Sequence, residues 1–182
     1  MSELFSIQLQ NRQQQGRDGV WLDLPTTTEQ VQAALRQIGI SSDNPQGLFI
    51  SGYFAEEEKR FAIPYNMVLA SSVDELNFLA ARLETLSAGE RAELNAALQA
   101  PQSELSSIGR ITDFPENVDY YVHLPDVRGP AQLGDYYLNR SGMVDMPDEW
   151  KGGIDTAQFG RYVAQQEQGV FTEYGYLVKS GD

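Results

Sequence analysis

Cysteine is absent from the 182 residues of this chain, and histidine occurs once, at His123. The chain therefore contains no disulfide, no thiolate metal site, no cysteine nucleophile and no histidine-rich metal site. The lack of cysteine fits a reducing compartment. The first ten residues lack the basic and long apolar regions of a secretory signal. No run approaches the roughly 20 apolar residues that span a bilayer, so we expect a soluble, cytoplasmic protein that does not bind membranes.

Basic residues are also scarce. The chain has 13 Lys and Arg but 26 Asp and Glu, which gives a formal net charge of −13 and a pI near 4.4. Nucleic acid and anionic membranes both repel such a surface, so direct binding to either is not expected. Hydrophobic residues make up 41% of the chain and include nine Tyr, eight Phe and two Trp. That is enough apolar material for a folded core, so the acidity does not indicate disorder.

Hydrophobic periodicity predicts an α+β protein of three small subdomains. Residues 1–64 form a β-rich N-terminal part with one helix, which begins at a capping box of Thr26 and Glu29. Its strands are predicted at residues 4–10, 20–24, 48–55 and 61–63.

The middle part, residues 65–112, has the 3.6-residue period of helices. Ser72 with Glu75 and Ser87 with Glu90 each have the spacing of a capping box ahead of an apolar stripe. These signals predict an αα-hairpin, followed by a short helix over 103–111.

The C-terminal part, residues 113–182, mixes both periods. A strand is predicted at 118–124, a helix from Pro130 to a stop at Gly142, one turn at 147–152, a helix capped by Asp155, and a hairpin over 170–178. Each of the three parts is small enough to be marginally stable alone. We therefore expect the three parts to support one another or a second subunit.

Catalytic motifs are missing. The chain has no P-loop, GxGxxG, HExxH or GxSxG pattern. His123 lies in an aromatic run and is interpreted as a strand histidine at an interface or polar edge rather than as a general base. The pairs Asp148 with Glu149 and Asp74 with Glu75 have the chemistry for a glycosidase or Mg²⁺ site, but nothing selects one pair over another. We predict no enzyme activity, no cofactor and no metal, and a small carboxylate or metal hydrolase is the weakest alternative.

Aromatic side chains are expected to fill small cores. They are Trp21, Tyr53, Tyr136, Tyr137, Trp150 and Phe159.

Acidic residues are dense between residues 113 and 155, where three basic residues accompany nine acids. A folded acidic surface can act as a decoy for DNA, because a DNA-binding groove recognises phosphates largely through charge. Duplex DNA carries about one charge per 1.7 Å, about twice the density of 13 charges over a globule roughly 40 Å across. A decoy therefore needs its acids gathered on one face. The candidate acids are Asp113, Glu116, Asp119, Asp126, Asp135, Asp145, Asp148, Glu149 and Asp155.

Several segments resemble the ArdA-type antirestriction proteins. Residues 19–29 (GVWLDLPTTTE) are similar to the family's G-x-W-x-x-L-P opening. Further similar segments follow in the family's order and together cover nearly the whole chain: SVDELNFLA at 72–80, LGDYYL at 133–138, Ile154-Asp155, FGR at 159–161 and GVFTEYGY at 169–176.

The resemblance implies an elongated, three-part homodimer that imitates bent B-form DNA. Such a protein has no catalytic site and occupies the DNA groove of type I restriction–modification enzymes, at their methyltransferase core. The nine candidate acids would then form the DNA-mimic surface. The family's antirestriction motif matches residues 133–149, which are linked to the dimer interface. The candidate dimer contacts are Leu133, Tyr136, Tyr137 and Leu138.

Three positions depart from the family's acidic pattern. They are Ser51-Gly52 in the third strand, Asn139-Arg140 after the tyrosine pair, and Tyr162. These departures weaken the expected charge locally. A binding module for another basic DNA-binding protein is the main alternative, because the same acidic face would serve it.

Overall fold

The computed structural model describes residues 3–14, 16–41, 43–101 and 103–180. It confirms the α+β class, with helices and two three-stranded antiparallel sheets. Contacts group the chain into two compact units. Unit 1 comprises residues 1–86 and 104–115, and unit 2 comprises residues 87–103 and 116–182. The three-part division of the sequence stays a prediction.

Unit 1 begins with the predicted sheet. Strands β1 (Phe5–Asn11) and β2 (Val20–Leu24) are followed by helix α1 (Thr28–Gln37) and strand β3 (Leu48–Phe54). The strand order is β2-β1-β3, and all pairs are antiparallel. Alternate residues of β1 are buried, because successive side chains of a strand point to opposite faces. One face of the sheet therefore forms part of the core of unit 1.

Two of the four helices of the middle sequence begin at the predicted capping boxes. The four helices are α2 (Tyr65–Leu69), α3 (Val73–Glu84), α4 (Ala88–Gln99) and α5 (Ile108–Thr112). Both capping boxes, at Ser72 before α3 and at Ser87 before α4, are formed. Helix α5 packs against α3 in unit 1. Helix α4 belongs to unit 2, where it contacts the last strand of the chain.

The rest of unit 2 mixes short strands and helices. A five-residue π-helical segment, the π segment, directly follows one helix. The elements are β4 (Tyr121–Leu124), α6 (Pro130–Asp135), the π segment (Tyr136–Arg140), α7 (Asp148–Lys151), α8 (Thr156–Glu167), β5 (Val170–Thr172) and β6 (Gly175–Lys179). The sheet order is β4-β6-β5. Val127, Leu133, Ala164 and Tyr176 form a buried cluster of this unit.

Some boundaries differ from the sequence predictions. Helix α1 is capped by Thr27, one residue after the predicted Thr26, because the Thr27 side chain accepts the hydrogen bond from Gln30 N. The short helix predicted over 103–111 is only α5, because the cap is Ser107. The first half of the predicted strand 118–124 is a 3₁₀ turn at Val118–Tyr120.

Two predictions about apolar residues were wrong. Residues 61–63 are not a strand: they lie between a 3₁₀ turn (Glu57–Lys59) and α2. Their alternation reflects only the burial of Phe61 and Ile63. Trp21 and Trp150 were expected in a core, yet half or more of each side chain is exposed. Hydrophobicity in the sequence does not say whether a tertiary neighbour is there to cover the side chain.

Helices α6 and α8 approach each other at two glycines. A Cβ added at Gly134 would lie 1.9 Å from the Thr156 carbonyl oxygen, and one at Gly160 would lie 1.8 Å from the Pro130 carbonyl oxygen. Both neighbours are backbone atoms, which cannot move aside as a flexible side chain can. Glycine is therefore required at both positions for the backbones to approach this closely.

We expect Gly160→Ala to destabilise the protein by at least about 2 kcal/mol, because the added methyl group overpacks a backbone contact. The control is Gly152→Ala, where an added Cβ meets no atom within 4 Å. Chemical denaturation followed by circular dichroism measures both variants. Equal stability of the two variants would contradict the close contact between α6 and α8.

Candidate functional site

The acidic excess is shared between the two units. Unit 1 carries 13 acidic and 7 basic residues, and unit 2 carries 13 acidic and 6 basic residues. The segment from 113 to 155 is thus not the sole source of negative charge. Asp113 belongs to unit 1, and the other eight candidate acids belong to unit 2.

The nine candidate acids lie almost entirely at the surface. Eight are exposed, and Asp135 is half-buried. Exposure keeps a carboxylate hydrated and ionised, which a phosphate imitation requires. The structure therefore places the acids where a large basic partner could reach them.

Asp135, Asp148 and Asp155 each have a partner inside the chain. Asp135 accepts a hydrogen bond from Asn139 at 2.8 Å and pairs with Arg140 at 3.6 Å. Asp148 pairs with Lys151 at 3.0 Å. Asp155 caps α8 by accepting hydrogen bonds from the backbone N–H groups of residues 157 and 158. These carboxylates are partly neutralised or used for local structure, so they are weaker candidates for a contact with a partner.

Four exposed acids of unit 2 have no such neutralisation. Among the described residues, no ion pair involves Asp119, Asp126, Asp145 or Glu149. Their negative charge is available to a partner. We call these four the open acids.

Asn139 and Arg140 both act on a neighbouring acid. Both side chains contact Asp135, and the Arg140 guanidinium also lies 5.8 Å from the centre of the Tyr136 ring. Arg140 therefore partly neutralises Asp135.

The departure in β3 has a steric basis. Gly52 lies beside Gln8 of β1, and a Cβ at Gly52 would come within 3.0 Å of the Trp21 ring. The Ser51 hydroxyl donates to the Gln8 side-chain oxygen at 3.1 Å. With Trp21 in this position, no side chain at residue 52 could carry an acid without displacing the ring. The third departure, Tyr162, is 60% exposed on α8.

The four candidate dimer residues divide into two pairs. Leu133 and Leu138 are buried in their own chain, at 0% and 3% exposure. Tyr136 and Tyr137 are half-buried, pack against the cluster around Leu133, and form a T-shaped ring pair at 5.4 Å. The two leucines therefore serve the core, and only the two tyrosines retain surface for a second subunit.

Glu167, the last residue of α8, joins the half-buried Tyr137 to the buried Tyr176. Its Oε1 accepts a hydrogen bond from the Tyr137 hydroxyl, and its Oε2 accepts one from the Tyr176 hydroxyl at 2.8 Å. Burial, followed by the hydrogen bond to Glu167, raises the pKa of both tyrosines. Sequence analysis did not identify Glu167, because a helical glutamate carries no sign of partners 9 and 30 residues away.

Glu93 of α4 is a second acid that sequence analysis missed. Its Oε1 is buried and has no hydrogen-bond partner in the described structure. Burial first, and then the charges of Glu90 and Asp119, raise the pKa of Glu93 to about 7. A pKa of about 7 means that the charge of Glu93 changes near neutral pH. Its position one helical turn after Glu90 was visible in the sequence, but its burial was not.

His123 lies in β4, an edge strand of the second sheet, opposite Leu177. Its Nε2 is 2.8 Å from the Tyr174 carbonyl oxygen. A carbonyl only accepts, so Nε2 carries the proton and donates it. This contact matches the interpretation of His123 as a strand histidine at a polar edge.

The described part of the chain contains no group of three or more acidic or histidine side chains able to hold a metal ion. Within the same residues, every helix is too short or too polar to cross a membrane.

Replacing Glu93 should change how stability depends on pH. The folded-state pKa of about 7 lies above the ordinary value of 4.5, so the wild type loses stability as pH rises through this interval. We expect Glu93→Gln to raise stability by about 1 kcal/mol at pH 8, a value reduced for solvent screening of this half-buried group. At pH 4.5 the difference should nearly vanish.

Thermal unfolding at several pH values measures this effect. Glu149→Gln is the matched control, because it makes the same chemical change at an exposed position. A Glu93→Gln variant that is less stable than the wild type at pH 8 would contradict the assignment.

The comparisons with known proteins point to one family. A family model described as antirestriction protein (ArdA) matches residues 15–178. A search of the curated proteins returns no match. The matched range spans most of both units and includes all nine candidate acids. The chain therefore belongs to the ArdA family of antirestriction proteins, which are inhibitors that act on type I restriction–modification enzymes.

Proposed function

We propose that this antirestriction protein works by imitating the phosphate charge of B-form DNA and occupying the DNA-binding groove of a type I enzyme at its methyltransferase core. The observation that carries the proposal is the set of open acids, Asp119, Asp126, Asp145 and Glu149, which are exposed and form no ion pair among the described residues. A groove built for phosphates attracts such a surface through charge, without reading any base.

Charge-based binding has a recognisable dependence on salt. Exposed charge contacts weaken as the Debye length shortens from about 10 Å at 0.1 M salt to about 3 Å at 1 M. They also act collectively, since one screened pair contributes little. The proposal therefore requires that single substitutions have small effects and that grouped substitutions have large ones.

Neutralising all four open acids should weaken inhibition about ten-fold. Four exposed charge contacts of roughly 0.2–1 kcal/mol each amount to about 0.8–4 kcal/mol, a range that includes the 1.4 kcal/mol of a ten-fold change. The quadruple variant combines Asp119→Asn, Asp126→Asn, Asp145→Asn and Glu149→Gln. The assay measures how well this variant displaces labelled duplex DNA from a type I methyltransferase core at two salt concentrations. The difference from the wild type should shrink at the higher salt.

The matched control neutralises four exposed acids of unit 1, namely Asp18, Asp43, Glu57 and Glu58. It changes the net charge equally, so it separates a local contact from a general charge effect. Equal losses for both quadruple variants would place the contact elsewhere. No displacement by folded wild type would overturn the proposal and favour another basic DNA-binding partner.

We propose further that the protein acts as a homodimer through the half-buried Tyr136 and Tyr137. Tyr137 is tied to Glu167, so Tyr136 is the cleaner position to change. Tyr136→Ala should shift the protein toward monomer in sedimentation velocity, because it removes aromatic surface from the contact. Tyr162→Ala, in the exposed face of α8, is the control. An unchanged dimer for Tyr136→Ala would reject this contact.

A further inference from the structure

The π segment decides where the chain goes after α6. It ends in a wide turn, with Ser141 N donating to the Tyr136 carbonyl oxygen at 2.8 Å. A π turn contains one residue more than an α turn, so it shifts the helical phase by about 100°. The direction taken by residues 141–149 therefore depends on whether Tyr136–Arg140 is π or α helical. Two open acids, Asp145 and Glu149, lie in that stretch.

Isolated π turns are rare, and they persist where tertiary contacts hold them. Here Leu138 is buried at 3% exposure, and the Ser141 hydroxyl donates to the Tyr137 carbonyl oxygen at 2.9 Å. Among the hydrogen bonds of the π segment, the one from the Tyr137 hydroxyl to Glu167 joins the residues that are furthest apart along the chain. The same carboxylate is anchored on its other oxygen by Tyr176, which is 1% exposed in β6.

We propose that Glu167 is a positioning residue for antirestriction activity: its carboxylate holds Tyr137 and so maintains the π form of residues 136–140. In this way Glu167 sets the direction in which residues 141–149 present their acids. The proposal rests on the proposed function, because it assigns activity to those acids. The Glu167 carboxylate itself is occupied by the two tyrosines and does not serve as a phosphate mimic.

The chemistry of residue 167 allows a sharp test. Gln keeps the shape and both hydrogen bonds, since its carbonyl oxygen accepts from one tyrosine hydroxyl and its amide donates to the oxygen of the other. Met keeps a similar length but offers no useful hydrogen bond. Both replacements remove the same charge. A contact acid would therefore suffer equally from both replacements, whereas a positioning residue would be rescued by Gln.

The experiment compares the full-length Glu167→Gln and Glu167→Met proteins with the wild type in the displacement assay and in amide hydrogen exchange. We expect Glu167→Gln to inhibit within about two-fold of the wild type and Glu167→Met to inhibit about ten-fold less. Exchange at residues 137–142 should accelerate about ten-fold in Glu167→Met, while exchange in β1 and β3 stays unchanged.

Tyr137→Phe is the second variant, in case Glu167→Met does not fold. It removes one hydroxyl, and exchange at 137–142 should accelerate. In Tyr176→Phe, which keeps the Tyr137 contact, that effect should be smaller. Equal loss of inhibition in both Glu167 variants would overturn the proposal, as would unchanged exchange in Glu167→Met and Tyr137→Phe. If wild type displaces no DNA, the proposed function fails, whereas the exchange data still decide whether Glu167 holds the π segment.

Discussion

The backbone contact between α6 and α8 is the constraint on which the rest of unit 2 depends. At Gly134 and Gly160 the two helices are so close that any Cβ would meet a carbonyl group of the other helix. This approach brings Leu133 and Ala164 into one cluster and places the end of α8 beside the residues that follow α6. Only then can Glu167 reach Tyr137. The hydrogen bond between Tyr137 and Glu167 thus depends on a contact made by two residues without side chains.

The charges of this protein fall into two classes that look the same in the sequence. Asp155 and Asp135 have structural or neutralising partners, and Glu167 joins two tyrosines. The open acids have no ion pair among the described residues, so their field extends into solvent. An inhibitor that competes with DNA needs the second class, because a carboxylate already paired with a cation offers a groove little attraction. The count of acids therefore overstates the charge available for binding.

Sequence reasoning predicted most of the local structure because the relevant signals are local. The capping boxes at Ser72 and Ser87 each need only four consecutive residues, and both are formed. The alternation in β1 follows from the two faces of a strand. Predictions failed where burial or backbone spacing decided the outcome, as at residues 61–63, in the exposed Trp21, and in the π segment within a predicted helix. None of these outcomes can be predicted from a short window of neighbouring residues.

The candidate site likewise has features that the sequence predicted and features that only the tertiary structure shows. Composition established the acidity, and the ordered segments that resemble the ArdA proteins indicated the family that the match over residues 15–178 confirms. Sequence could not say that Asp135 is masked by Arg140, that Leu133 and Leu138 serve the core, or that Glu167 binds two tyrosines. By itself the sequence determined the charge, the starts of α3, α4 and α8, and the family, because these depend on residue identity and close spacing. Only the tertiary structure decided which acids remain open, because partners distant along the chain control whether a carboxylate faces solvent or another side chain.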